Sequence, residues 1–293
     1  MTLPRFEYVV PKTLQEACAV LMAHPGEARA MTGGTDLLPK MKDRLLTPRY
    51  VIGLKAIAGL DYVRQDEQGL RIGALATLVR VAETPEVVRG FPLLAEAILK
   101  VASVQVRNIG TVAGNLCNAS PSADTAPALI AMGAQVKLLD AAGQSRTLFL
   151  EDFFVGPGKT VLREGELLEE IQVPNAPPGS GGAYRKLSLR RAMDLATVGV
   201  GCFLTLEGGV CREVRIALGA VGPTPLRAKA AEDAVRGGGL TEAVLEKAAA
   251  AAVAAAKPIT DIRGSAAYRR KMVGVLTRQA ISEAWEKAGT GRR

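Results

Sequence analysis

Residues 107–129 read RNIGTVAGNLCNASPSADTAPAL. The stretch holds two glycines and no aromatic residue, and its only charges are Arg107 and Asp124. Such a string leaves the backbone exposed to whatever lies against it. A second stretch of the same style, MTGGTD at 31–36, precedes it. Glycine lacks a Cβ, so the chain can approach a ligand closely and adopt φ > 0. Successive N–H groups then form a concave anion site without lysine or arginine. Thr32, Thr35 and Thr111 add hydroxyl donors. Many neutral donors and steric room suit a pyrophosphate. Either segment alone reads equally well as a tight turn; two in one domain favour a ligand, although composition names no nucleotide.

The 293 residues suit about two domains, and an apolar content of 48% is enough for packed cores. No apolar run approaches the roughly 20 residues of a membrane span, and the N-terminal stretch has no signal-peptide core. The expected compartment is the cytoplasm. The four cysteines, Cys18, Cys117, Cys202 and Cys211, have no C-x-x-C spacing, and His24 is the only histidine. Zinc spacings are thereby excluded, and a self-contained iron–sulfur site is disfavoured. No metal site is expected. The net charge of +8 raises the question of nucleic acid. Basic residues are scattered, with local concentrations only at 185–191 and 263–278, and aromatic stacking platforms are scarce at 4%. An acidic partner or an anionic cofactor accounts for the charge equally well.

Periodicity and turn signals divide the chain. The segment at 6–11 reads as a strand. A helix follows, with capping-box spacing between Thr13 and Glu16 and an apolar face of Leu14, Cys18, Leu21 and Met22. His24 reads as a capping residue at its end. Further strands are expected at "ARAM", "RYVIGL" and "GLRIGALA", and helices after Thr77 and from Pro92. A helix closed by Gly133, a hairpin over 134–150 and the strand "ELLEEIQVP" complete this half. The run NAPPGSGG at 175–182 marks a boundary. Beyond it, three strands with a Gly-Gly turn at 208–209 precede helices at Ala228–Val235, Thr241–Ala256 and Ser265 to about Glu283. The division is therefore 1–175 and 176–293, the latter an antiparallel sheet backed by helices. Two nucleotide motifs fail: "VGPGKT" has Phe153 where a P-loop needs glycine, and "GVG" at 199–201 lacks the third glycine of a dinucleotide fingerprint.

The stretches TGGTD, LLPKMKDR and RNIGTVAGNLCNASPSAD together resemble the FAD-binding medium subunits of the molybdenum hydroxylases. That family includes carbon monoxide dehydrogenase, bacterial xanthine dehydrogenases and 4-hydroxybenzoyl-CoA reductase. The resemblance continues in order through GPGKT, ELLEEIQVP, YRKLSLRRAMDLATVGVG, ALGAVGPTPLRA and DIRGSAAYRRKMV, and so covers nearly the whole chain. It implies an α+β protein: a two-part α/β FAD-binding domain with the cofactor in a cleft between its halves, then a smaller α+β domain. The implied FAD-binding residues are Thr32, Gly33, Gly34, Thr35 and Asp36, preceded by Met31. Thr111, Val112, Ala113, Gly114 and Asn115 follow Gly110 in the second set. Cys117 and Asp124 match positions lining the flavin and its ribityl chain, and Leu168 and Lys186 match positions touching the ring. Leu195 falls on a loop that covers the ring in relatives. From the residues themselves, Asp124 reads equally as a helix cap and Lys186 as a solvated strand lysine.

The implied function is electron transfer within a molybdenum hydroxylase. Partners would be a small subunit with 2Fe-2S clusters and a large molybdopterin-binding subunit. NAD, a quinone or oxygen would be the final acceptor. No catalytic side chain is expected, because the flavin carries the redox chemistry. The alternative is a stand-alone FAD-dependent oxidoreductase acting on a small molecule. The chain lacks the four extra cysteines that hold a 4Fe-4S cluster in 4-hydroxybenzoyl-CoA reductase.

Overall fold

Thr13 begins the first helix as its spacing predicts. Its hydroxyl accepts the Glu16 N–H at 3.1 Å, while the Glu16 carboxylate accepts the Lys12 N–H at 2.7 Å. In the computed structural model, which describes residues 2–190 and 192–290, this helix belongs to a small α/β unit. Met1, Arg191 of the first basic concentration and residues 291–293 lie outside that description. The unit comprises β1 (Glu7–Val9), α1 (Leu14–Ala23), β2 (Ala28–Met31), α2 (Leu37–Lys42) and β3 (Tyr50–Gly53). Its three strands are parallel in the order β1-β3-β2. Leu14, Ala17 and Cys18 are buried. Met22 departs from the predicted apolar face: it is 51% exposed and lies over Gly165. His24 caps α1, and its ring stacks on Tyr50 at 3.9 Å.

The next unit starts with β4 (Val63–Asp66) and β5 (Gly69–Gly73). Six short helices follow: α3 (Leu78–Glu83), α4 (Pro85–Gly90), α5 (Pro92–Leu99), α6 (Val104–Ile109), α7 (Val112–Cys117) and α8 (Thr125–Ala131). It ends with β6 (Gln135–Leu139), β7 (Ser145–Phe149), β8 (Phe154–Gly156), β9 (Lys159–Thr160) and β10 (Leu167–Pro174). Five strands make an antiparallel sheet, β4-β5-β10-β6-β7, with β10 central and largely buried. The expected hairpin is β6–β7. Strand β4 was not predicted: its VRQD sequence at the sheet edge buries nothing fully and shows no alternation. The VGPGKT segment is the β8–β9 hairpin.

The C-terminal unit contains β11 (Ser180–Leu187), β12 (Val198–Glu207), β13 (Val210–Gly219), β14 (Leu226–Arg227), α9 (Lys229–Val235), α10 (Glu242–Ala255) and α11 (Ala266–Gly289). The antiparallel order is β11-β12-β13-β14. Gly208 and Gly209, at φ +59° and +79°, turn the chain between β12 and β13. Thr241 and Ser265 cap α10 and α11 through the N–H groups of Val244 and Tyr268. Strand β11 starts inside the glycine-rich run that reads as a linker, so the connection spans only residues 175–179. A Cβ on Gly181 would overlap the Ala284 carbonyl and the Ala288 amide, so glycine there lets β11 lie directly on α11. The GVG of β12 has a similar explanation on the opposite face. A Cβ on Gly201 would come within 2.7 Å of the Pro127 carbonyl of α8. The C-terminal sheet is thus clamped between α9–α11 and the helices of the middle unit.

Among the described residues no helix is long and apolar enough to cross a membrane. Gly181→Ala is expected to destabilise the protein by about 1–3 kcal/mol through overpacking. Gly239→Ala, where nothing lies within 4 Å, should change stability by less than about 0.5 kcal/mol. Urea unfolding of both variants measures the difference.

Candidate functional site

Strand β2 delivers Met31 to the edge of its sheet, and residues 32–36 then turn into α2. Gly34 makes this turn at φ +70°. Gly33 has a different reason for being glycine: a Cβ there would overlap the Ile109 carbonyl oxygen, with Gly110 Cα at 2.8 Å. The two small-residue segments therefore pack backbone against backbone. Beside this contact the Thr32 and Thr111 hydroxyls are 3.1 Å apart. A Cβ on Gly114 would sit 2.9 Å from Thr32 Oγ1 and 3.0 Å from Thr111 Oγ1.

The second segment is not a continuous loop. Thr111 is the N-cap of α7, and its hydroxyl accepts the Gly114 N–H at 2.9 Å. The Val112 and Ala113 N–H groups belong to the first helical turn, where no intrahelical carbonyl can reach them. Gly110 is anchored on the other side, its carbonyl accepting the Leu78 N–H at 2.8 Å. At the far end Asn115 Oδ1 accepts the Thr125 hydroxyl at 2.6 Å.

Both segments border one cleft of about 650 Å³, within the range of small-molecule sites. Its lining includes Met31, Thr32, Gly33, Gly34, Thr35 and Asp36 from the first segment, and Gly110, Thr111, Ala113, Gly114 and Asn115 from the second. Cys117, Asp124, Leu168 and Leu195 also line it. Two of the expected residues do not. Val112 is fully buried, because its side chain joins the core beneath α7. Lys186 stands behind Asp124.

Asp124 and Lys186 form the charged base of the site. Their side chains are 6% and 7% exposed. Lys186 Nζ donates to Asp124 Oδ2 at 2.8 Å, to the Lys100 carbonyl at 2.9 Å and to the Asp194 carbonyl at 2.9 Å. All three ammonium protons are thus taken. Tyr184, fully buried on β11, donates its hydroxyl to Asp124 Oδ1 at 2.8 Å. Burial raises the Asp124 pKa, and Lys186 and Tyr184 oppose the rise. Asp124 makes no side-chain cap to α8, so its bonds run to β11 instead.

Cys117 has its thiol pushed up to about 12 by burial, which keeps it neutral and unreactive. Asp36 remains exposed, yet the packing around its carboxylate raises its pKa, with Lys40 opposing. Asp36 accepts from Asn118 Nδ2 at 3.0 Å, and Asn118 Oδ1 accepts from Lys40 Nζ at 2.6 Å. This chain ties α2 to the end of α7 and closes one side of the cleft. Met193, at φ +54°, lines the cleft beside Leu195 and donates its N–H to the Ala102 carbonyl.

Several lining residues were not predicted: Arg29, Lys40, Asn118, Ser120, Ser122 and the turn at 162–167. The turn enters because β10 begins there. Gly165 takes φ +76°, and Glu166 is fixed by paired bonds from Arg146 at 2.8 and 2.7 Å. The Arg-Glu-Gly run before an apolar strand was the available signal. Lys186→Met should cost about 3–5 kcal/mol, since it leaves Asp124 buried without its counter-charge. The Asp124 pKa would then rise further. A carboxyl with a raised folded-state pKa stabilises the fold below the unfolded value and loses that contribution as pH climbs through the folded value. The deficit against wild type should therefore be smaller at about pH 5.5 than at about pH 8 in urea unfolding.

The family model described as "FAD binding domain in molybdopterin dehydrogenase" matches residues 4–176, and "CO dehydrogenase flavoprotein C-terminal domain" matches 166–284. The chain is 36% identical over 284 residues to the carbon monoxide dehydrogenase medium chain of Hydrogenophaga pseudoflava, covering 97% of this chain and 98% of that one. It is 35% identical to the glyceraldehyde dehydrogenase medium chain of Sulfolobus acidocaldarius, over 96% and 98% of the two chains. Among solved structures, carbon monoxide dehydrogenase from Hydrogenophaga pseudoflava superposes with a TM-score of 0.95 at 38% identity, over 98% of this chain and 99% of that one. The chain belongs to the FAD-binding medium-subunit family of the molybdenum hydroxylases, a family of oxidoreductase subunits.

Proposed function

We propose that the chain is the flavin-carrying electron-transfer subunit of a molybdenum hydroxylase. It would take electrons from the 2Fe-2S clusters of a small partner subunit, which a molybdopterin-binding large subunit reduces. NAD, a quinone or oxygen would be the final acceptor. The observation that carries this reading is the abutment of two glycine segments at one cleft, each offering backbone amides and threonine hydroxyls. The cleft fits FAD in donor chemistry: neutral amides on one side, a buried carboxylate and apolar walls on the other.

In this reading the amides and hydroxyls of Thr32, Gly33, Gly34 and Thr35 and the free first-turn amides of α7 hold the diphosphate, with Thr111, Val112, Ala113, Gly114 and Asn115 forming and placing that turn. Met31, Asp36 and Gly110 flank them. Asp124 accepts from a ribityl hydroxyl or the flavin edge, and Cys117 and Leu168 supply apolar contact. Lys186 acts at one remove, by fixing Asp124. When bound, FAD supplies the redox chemistry, collecting electrons and passing them to the acceptor. No side chain needs to act as acid or base, and Cys117 is held neutral by burial. The four unpaired cysteines agree with a reducing cytoplasm.

The purified full chain should carry the two visible flavin bands without broad iron–sulfur absorbance. Gly114→Val is expected to lower the FAD content at least about tenfold while far-UV circular dichroism stays unchanged. Gly33→Val should do the same by forcing the two segments apart. Full flavin content in both variants would overturn the assignment.

A further inference from the structure

A second cavity, of about 840 Å³, opens between the middle unit and the C-terminal sheet beside the 175–179 connection. It shares no lining residue with the first. Its floor is the part of the sheet face that α5 and α8 leave uncovered. Gly182, Phe203 and Arg215 lie side by side across β11, β12 and β13, and Ser180, Thr205 and Glu213 form the next row. Phe91 and Leu93 wall the cavity from the other side.

Arg215 is the unusual residue here. It is half-buried, and its guanidinium rests on Gly133 at the end of α8, where a Cβ would overlap Nη1. Among the described residues nothing accepts its protons and no carboxylate pairs with it. The other two cations lining the cavity are engaged. Lys287 is paired with Glu283 at 2.8 Å and Glu96 at 3.6 Å, and Arg89 also has a partner. A half-buried arginine ordinarily finds an acceptor. A planar fork without one, facing an open cavity beside an aromatic ring, matches a carboxylate or phosphate. Glu213 is exposed and lies along the sheet from Arg215, so it repels an anion from that end and favours the Gly133 side.

We propose that this cavity binds a small organic anion, its carboxylate or phosphate on Arg215 and its apolar, ring-sized body against Phe203 and Phe91. The site stands behind the flavin cleft. Helix α8 and its caps run from Asp124 in the first cavity to Met132 in the second, a span of about 12 Å. The proposal does not depend on the flavin reading.

Isothermal titration of benzoate, phenyl phosphate and inorganic phosphate into the FAD-loaded full chain tests it. At least one of the two organic anions should bind at a single saturable site with the flavin retained, and the tighter of them identifies the headgroup. Inorganic phosphate should bind about tenfold more weakly or worse, lacking the apolar body. Arg215→Gln should weaken the organic anion about tenfold or more, and Arg215→Lys less. Phe203→Leu, which leaves the guanidinium in position, should weaken it as well. Three results would overturn the proposal: no saturable binding of either organic anion, release of FAD on titration, or wild-type affinity in a normally folded Arg215→Gln chain.

Discussion

Gly33 lies against the Ile109 carbonyl, and this one backbone contact sets the geometry of the site. Two units with separate sheets, one parallel and one antiparallel, meet there without an intervening side chain. Such closeness needs small residues on both strands of contact. The Thr32 and Thr111 hydroxyls, 3.1 Å apart, and the tight fit of Gly114 beneath them extend the seam. The glycines thus serve first to join the units. The amides left uncommitted at the seam can then serve an anion. Any residue that widens the seam alters both functions together.

The C-terminal unit is the rear wall of the same site. Tyr184 and Lys186, on one strand of its sheet, both reach Asp124 at the base of the cleft. Burying these charges is costly unless every donor and acceptor is used. The arrangement meets that condition, with Lys186 also binding the carbonyls of Lys100 and Asp194. One side chain thereby ties the end of α5, the start of α8 and the loop carrying Leu195. Gly201 of β12 and Gly219 of β13 let α8 seat directly on the sheet at Pro127, which fixes the height of Asp124.

Much of this was legible in the sequence. Helix starts at Thr13 and Thr77 follow from capping chemistry, and both hydroxyls accept the expected N–H; the helices placed from Thr241 and Ser265 start there too, each with its hydroxyl as the cap. The two small-residue segments were legible as a pair. What they touch was not, because the contact of Gly33 with Ile109 spans 76 residues of chain and leaves no local pattern. The same holds for Lys186, whose three acceptors come from three separate segments. Helices α6 and α7 leave no helical period in the sequence: each is only six residues long, α6 buries none of its residues fully, and α7 is interrupted by Gly114. Gly181 and Gly182 read as linker for a related reason: composition cannot distinguish a flexible glycine from one pressed against a helix.

The central claim is that backbone amides along the seam, rather than basic side chains, hold the diphosphate of FAD. A crystal structure of the full chain with FAD bound tests it most directly. The account predicts diphosphate oxygens about 2.7–3.2 Å from amides within 32–36 and 111–115, with Gly33 still seated on Ile109. A diphosphate held chiefly by lysine or arginine, or found away from both segments, would contradict it.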